Sequence, residues 1–348
     1  MRFAVVGAGV IGTLHATLLD TLPGSGAAVI VDVDTDRARA LADRHGTDAT
    51  DDLAAVLGRR DVDAVSVCVP SGLHADIAVA ALEAGKHVIV EKPLDITLAA
   101  CDRVIEAERR SGRVVTTISQ RRFQPAFAFL HDQVAGGRLG QITSGGAESP
   151  FWRAQSYYDS GGWRGTWRLD GGGALMNQGV HSVDLLLWLL GEPVEVTARA
   201  ATLAHERVEI EDTLSASVVF ANGALGTVTA TTAGYPGRTV RMTVAGTDGS
   251  AAVSNERLEY LHTRDREPAG DDTGPDNQLD VLAGEPGGQP AIVDPMAIHS
   301  AQYADFVDAV ENGRAPAVTT ADGRRAVMLV NGIYESARRG GAPVRLDR

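Results

Sequence analysis

Phe3-Ala4-Val5-Val6-Gly7-Ala8-Gly9-Val10-Ile11-Gly12 opens the chain with a short apolar run that breaks into a glycine-spaced turn. The residues to about Thr21 continue as a helix former, so the turn lies between a strand and a helix. Gly7 permits the tight turn, Gly9 lets backbone approach a pyrophosphate, and Gly12 allows close helix–strand packing. The helix N-terminus offers free N–H groups and the positive end of a dipole. A lone G-x-G-x-x-G is a weak signal; context decides. Asp32 ends the next apolar strand, Ala28–Asp32, 20 residues beyond Gly12, where an acidic group meets the adenosine ribose of a bound dinucleotide. Such a carboxylate repels a 2′-phosphate, and Val33 and Asp34 follow without an arginine, so NAD is expected rather than NADP. Asp34 and Asp36 read as caps of the next helix.

The alternation continues through Asp36–His45 (helix), Ala64–Val69 (strand), Leu73–Ala84 (helix), His87–Glu91 (strand), Leu98–Arg110 (helix) and Val114–Ile118 (strand). Short apolar strands alternating with helices predict a doubly wound parallel sheet covered on both faces. A dinucleotide-binding domain over 1–119 is therefore expected. Beyond it the pattern changes. Pro125–Val134 is helical, Ile142–Glu148 is strand-like, and Val180–Leu190 is an apolar helix. Val194–Ala200, Thr213–Phe220, Ala224–Thr231, Thr239–Ala245 and Arg257–His262 alternate as antiparallel strands. Asn222-Gly223 predicts a type I′ hairpin turn. Residues 263–295 read as a long mobile loop, rich in Asp, Gly and Pro, and helices over 297–311 and 321–338 close the chain. The overall class is α/β, with a second α+β domain over 120–348 built on a mainly antiparallel sheet.

At 348 residues the chain is long enough for two cores. Its net charge of −13 argues against a nucleic-acid partner. Cys68 and Cys101, the two cysteines, lack metal-ligand spacing and read as reduced thiols, and no metal site is expected. Neither a signal peptide nor an apolar run long enough to span a membrane is present, so a cytoplasmic location is expected.

Cofactor contacts are expected from Gly7, Gly9, Val10, Ile11, Gly12, Asp32 and Val33. Pro70, Ser71 and His74 follow the third strand, at the carboxyl edge where ligands of such sheets sit. His74 reads as a helix-face residue lining that cleft rather than as a catalyst. Glu91 and Lys92, at the end of the fourth strand, and Gln120 and Arg121, after the fifth, complete the set. Lys92 precedes Pro93 and faces the expected nicotinamide side, where a lysine can titrate or stabilise an alkoxide. Further on, Arg153, Tyr157, Trp163 and Arg164 interleave aromatic faces with guanidinium forks, a pattern suited to a polyhydroxylated or anionic ligand. Asn177, His181 and Asp184 share a face if a helix begins near Asn177. His181 reads as functional and Asp184 as structural.

The GAGVIG turn, CVPSGLH, EKP at Glu91-Lys92-Pro93, GGGALMNQGVHSVDLLLWLLG from Gly171, and DFVDAVENGRAPAVTTADGRRAV resemble, in combination, the Gfo/Idh/MocA oxidoreductases. The resemblance implies a Rossmann domain followed by an α/β domain whose open, mainly antiparallel sheet carries the substrate site and the oligomer interface. It places the family's lysine on Lys92 and its helix histidine on His181. Many members carry an aspartate four residues before that histidine, where this chain has Asn177. That asparagine, with the WRGTW segment, is similar to the sugar 3-dehydrogenase branch, which acts on nucleotide-linked or glycosidic sugars. The expectation is an NAD(H)-dependent dehydrogenase for a secondary alcohol of a sugar, sugar derivative or cyclitol. His181 would take the hydroxyl proton, Lys92 would stabilise the oxygen, and Asn177 would position a neighbouring hydroxyl. The Lys92 and His181 roles are exchangeable on sequence alone. The alternatives are an NAD-dependent glycosidase, an NADPH-dependent sugar ketoreductase and a non-catalytic NAD-sensing regulator. An uncovered sheet face suggests a homodimer or homotetramer.

Overall fold

The computed structural model describes residues 1–264 and 293–346, with Leu279 and Pro290. The loop expected over 263–295 therefore lies mostly outside the described residues. Two compact units emerge. One comprises Met1–Gln120, Arg168–Gly171 and Asp294–Val327; the other comprises Arg121–Trp167, Gly172–Val293 and Met328–Arg348. The sequence reading divides the chain once, at 119/120, whereas the first unit also takes in helix Pro295–Asn312. Tyr303 and Phe306 of that helix are fully buried against Phe3, Leu18 and Leu19, which explains its membership.

The first unit is built on a six-stranded sheet of β1 Arg2–Val6, β2 Gly26–Val31, β3 Asp48–Thr50, β4 Ala64–Val67, β5 His87–Val90 and β6 Val115–Thr117. The strand order is β3-β2-β1-β4-β5-β6 and every neighbouring pair is parallel, the Rossmann arrangement. β3 is absent from the sequence reading because it is three residues long and carries no apolar run. The period of two sorts side chains to opposite faces. Ala4, Val6, Val65, Val67, Val88 and Val90 enter one core, whereas Phe3, Val5, Ala64 and Ile89 enter the other. By the same alternation Ser66 and Glu91 fall on the second face, as polar residues directed into apolar packing. The helix Thr35–His45 is capped by Asp34, which accepts from Arg37 N.

The second unit holds an eight-stranded sheet of β7 Ile142–Pro150, β8 Pro193–Ala201, β9 Thr213–Phe220, β10 Leu225–Thr231, β11 Arg241–Gly246, β12 Gly249–Ser254, β13 Arg257–Thr263 and β14 Val344–Arg345. The order is β13-β12-β11-β7-β10-β9-β8-β14, antiparallel except for β7 beside β10. β12 escapes sequence reading because Gly-Ser-Ala-Ala-Val-Ser carries one β-branched residue. The Asn222-Gly223 hairpin exists, but its turn is not type I′, which needs positive φ at both central residues. Only Gly223 has it, at +87°. The Phe220 carbonyl accepts from Gly223 N and Phe220 N donates to Ala224, giving a type I turn closed by a glycine bulge. On β9 and β10, Leu214, Ala216, Val218, Phe220, Val228 and Ala230 are buried. The intervening residues lie open: Leu225 is 60 % exposed, and a groove of about 760 Å³ runs over Thr227, Arg241, Thr243, Glu259 and Tyr260. Among the described residues, no helix is long and apolar enough to cross a membrane.

Candidate active site

In the first unit the glycine turn has the shape a dinucleotide needs. Gly7 adopts φ +105°, and a Cβ there would run into the Cys68 carbonyl. A Cβ at Gly9 would meet nothing within 4 Å, so that face of the turn is bare. The helix that follows, Val10–Thr21, has no acidic residue in its first turn and no side-chain cap, which leaves its positive end unneutralised. Asp32 binds the turn to the end of β2: its Oδ2 accepts from Ala8 N at 2.7 Å and its Oδ1 from Asp34 N at 2.9 Å. Val10, Ile11, Val33 and Leu73 are apolar yet exposed, Val33 to 94 %. Such residues on a sheet's carboxyl edge are what a bound cofactor's rings would cover. The turn, the acid and the bare apolar rim fit NAD(H), which supplies a hydride acceptor or donor when bound.

Lys92 leaves β5 under two restraints. Glu91 Oε2 accepts from the Lys92 N–H at 3.0 Å, and His74 Nδ1 lies 2.7 Å from the Pro93 carbonyl. His74 is buried, and its Nε2 meets the Val69 carbonyl at 2.9 Å. Burial lowers its pKa against the pull of both carbonyls. Its one N–H thus donates to one of these carbonyls, and the ring lies wedged between the backbone around Pro70 and Pro93. Ser71 is buried and Pro70 half-buried in the short turn between.

Beneath Lys92 is a charged cluster. Glu91 Oε1 meets His15 Nε2 at 3.0 Å, both side chains being almost wholly buried. His15 Nδ1 lies 2.8 Å from Ser66 Oγ and from Tyr303 Oη, and 3.1 Å from Cys68 Sγ. Burial opposes a charge on His15, yet the Cys68 sulfur and the Glu91 carboxylate raise its pKa to about 10. Burial likewise opposes charge on Glu91, and His15 outweighs it, holding the carboxyl at about 2. One carboxylate therefore joins the helix opening at the glycine turn to the amide of Lys92.

In the second unit, residues 172–190 are buried except at Asn177, Gln178, His181 and Trp188, which are half-buried. Asn177 does not stand on an α-helix with His181, as the sequence reading supposed. Ala174–Gly179 forms a π-turn, and the α-helix begins at Val180. Residues far along the chain hold the entry to this turn. Glu211 accepts from Gly173 N and Leu175 N, both at 2.9 Å, and Tyr334 Oη accepts from Met176 N at 3.1 Å while donating to Glu211. Burial raises the Glu211 carboxyl to about 7 against those hydrogen bonds. A Cβ on Gly172 would strike the Tyr334 hydroxyl and one on Gly173 the Glu211 carbonyl, hence the glycine run. Asp184 pairs with Arg122 rather than His181, through bonds of 2.6 and 2.9 Å in a buried bidentate fork.

The same unit gathers the aromatic–arginine segment. Arg153 and Arg164 each place a guanidinium over the Tyr157 ring, at 5.1 and 4.8 Å, and Arg164 also lies 4.9 Å over Trp163. Gln178 connects this group to Asn177: its Nε2 donates to Asn177 Oδ1 and to the Tyr157 hydroxyl, and its Oε1 accepts from Arg153. Arg121 belongs to this unit and Gln120 to the first. Arg121 stands 3.8 Å from Glu256, with its Nε lacking a hydrogen-bond partner, and burial lowers its pKa. Gln120 Oε1 is buried without a partner as well. Among the described residues no group of three or more His, Cys, Asp or Glu side chains forms a metal site.

A Rossmann sheet with its acid-tipped second strand, followed by an open-sheet unit bearing a polar π-turn, defines a dinucleotide-dependent oxidoreductase. Residues 1–119 match the oxidoreductase family model with an NAD-binding Rossmann fold, and residues 127–252 match the GFO/IDH/MocA C-terminal domain. The chain is 32% identical to inositol 2-dehydrogenase 2 of Saccharopolyspora erythraea over 73% of each protein. Myo-inositol 2-dehydrogenase of Thermotoga maritima is 28% identical over 94% of each. Among solved structures, the WlbA dehydrogenase of Bordetella pertussis, in complex with NADH and UDP-GlcNAcA, superposes with a TM-score of 0.86 at 29% identity. That likeness covers 100% of this chain and 99% of that one. The chain belongs to the Gfo/Idh/MocA oxidoreductase family.

Sequence reasoning did not find His15, Glu211 or Tyr334 as site residues. His15 sits in an apolar helix, and its partner Glu91 lies 76 positions away. Glu211 and Tyr334 reach the π-turn across 36 to 158 positions, with no local pattern to announce them. The three glycines at 171–173 were the one available signal of a close approach.

Proposed function

We propose that this protein is an NAD-dependent dehydrogenase that oxidises a secondary alcohol of a sugar, sugar derivative or cyclitol. The observation that carries the reading is the burial pattern of residues 172–190, where the polar Asn177, Gln178 and His181, with Trp188, are the residues of the block that reach the surface. In this reading His181 receives the hydroxyl proton as the carbon gives up its hydride. Lys92 holds the oxygen and balances the negative charge growing on it, while Asn177 positions a neighbouring hydroxyl. Asp32 favours NAD over NADP, because a 2′-phosphate would meet its carboxylate and the nearby Arg37 is already engaged by Asp34.

The test is Lys92→Ala assayed on a panel of sugars, glycosides and cyclitols by absorbance of the reduced cofactor. The expected result is a fall in kcat of about 10³-fold with NADH affinity unchanged to within about threefold. Retained turnover, or an equal loss of NADH binding, sinks the assignment.

A further inference from the structure

Arg153 and Arg164 are two cations stacked on one tyrosine ring. Among the described residues, neither has a carboxylate within ion-pair distance (4.0 Å). The acids of the adjoining segments are engaged elsewhere. Asp159 takes Arg207 and Gln155, Glu206 takes Arg207, Glu209 caps the Trp167 amide, and Asp212 holds the amides of Leu203, Ala204 and His205. The guanidiniums themselves are under-satisfied. Arg153 bonds to the Gln178 amide and Arg164 to the Ser160 hydroxyl, both neutral, while the Nε of each is buried without a hydrogen-bond partner. Each guanidinium therefore carries a charge that only neutral partners meet among the described residues. A guanidinium also presents its two Nη groups side by side, an edge that receives two oxygens of a carboxylate or phosphate.

We infer that Arg153 and Arg164, stacked on Tyr157, form an oxyanion subsite, and that the substrate is an acidic sugar derivative bearing a carboxylate or phosphate group. The inference rests on the dehydrogenase reading for the reaction and narrows its substrate. Gln178 connects the subsite to the reacting end, since its amide touches Arg153, the Tyr157 hydroxyl and Asn177 together.

The test compares glucose, glucuronate, glucose 6-phosphate and UDP-glucose with the full-length protein and NAD. Alongside it, titration calorimetry with NADH present measures binding of each compound. At least one acidic compound should exceed glucose in kcat/KM by tenfold or more, with the uronate and phosphate arms separating the two anion sources. Arg153→Ala and Arg164→Ala should raise KM for that compound by about 10–100-fold, well beyond any change in kcat. Lysine at either position should restore part of the loss, and thermal melting checks that the variants are folded. Equal use of glucose and the acidic compounds overturns the subsite while leaving the dehydrogenase reading intact. Anion binding that weakens in the variants without turnover on any compound upholds the subsite and removes the reading. No binding of any acidic compound overturns the subsite.

Discussion

Replacing Glu91 by Gln tests whether the buried His15–Glu91 pair holds Lys92 in place. Glutamine keeps an acceptor for the Lys92 N–H but removes one of the two groups that hold the proton on His15, the other being Cys68. His15 then holds its proton less tightly, because burial disfavours the charged ring and only the Cys68 sulfur still raises its pKa. At pH 7 the whole shift of His15 to about 10 is worth ~4 kcal/mol, which caps the loss, since the Cys68 contribution stays in the variant. For a chain of 348 residues that cap corresponds to a fall in Tm of about 5 °C. The pH dependence follows from the two shifts. His15 is raised from 6.5 to about 10, so its contribution is complete below 6.5 and vanishes as pH rises through about 10. Glu91 is lowered from 4.5 to about 2, so its contribution is complete above 4.5 and disappears as pH falls through about 2. The gap in Tm between wild type and variant should therefore be widest from pH 4.5 to 6.5 and should close toward pH 10. Scanning calorimetry from pH 4.5 to 10 measures it. A double-mutant cycle with His15→Gln should return a coupling of ~2 kcal/mol or more. In the same variant kcat should fall by about tenfold, since the lysine amide retains a looser partner. A gap below about 2 °C throughout, or one that widens toward pH 10, would refute the argument.

Glu211→Gln should flatten a slope in stability. The carboxyl is raised from 4.5 to about 7, so the folded wild type loses ~3 kcal/mol as pH climbs from 4.5 through 7, and melting curves should show no such loss in the variant. Gly173→Ala drives a methyl into the Glu211 carbonyl, so the π-turn should shift and kcat drop by about 100-fold or more, with NADH binding retained. The open face around Leu225 and Thr227 should be covered by a second copy of the chain. Light scattering at micromolar concentration should then give a dimer or tetramer, and Leu225→Arg should lower the mass; a monomeric wild type would count against this.

The alternation of strand and helix in the first 120 residues was legible because parallel strands are short apolar runs and the glycine turn sits between the first of them and its helix. The polar β3 and the small-residue β12 were not, since neither differs in composition from a loop. At the site, Lys92, Asn177 and His181 stood out as polar residues in apolar surroundings, and Arg153 and Arg164 as cations among aromatics. What escaped was the support. Glu91 was read as a cofactor contact, whereas its oxygens face His15 and the Lys92 amide. Asp184 found its partner 62 positions back, in Arg122. Such pairings depend on which strands become neighbours, and a linear pattern carries no record of that.

The membership of helix Pro295–Asn312 in the first unit bears on how the chain is made. A ribosome delivers the whole six-stranded sheet by Thr117, but the face bearing Phe3, Val5 and Ile89 stays without Tyr303 and Phe306 until nearly the last fifty residues emerge. At usual synthesis rates that is a wait of roughly ten to forty seconds. The nascent protein must pass that interval with an apolar surface open. Expressing 1–119 alone makes the interval permanent, and a shuffled enzyme that keeps this half must also inherit the tail.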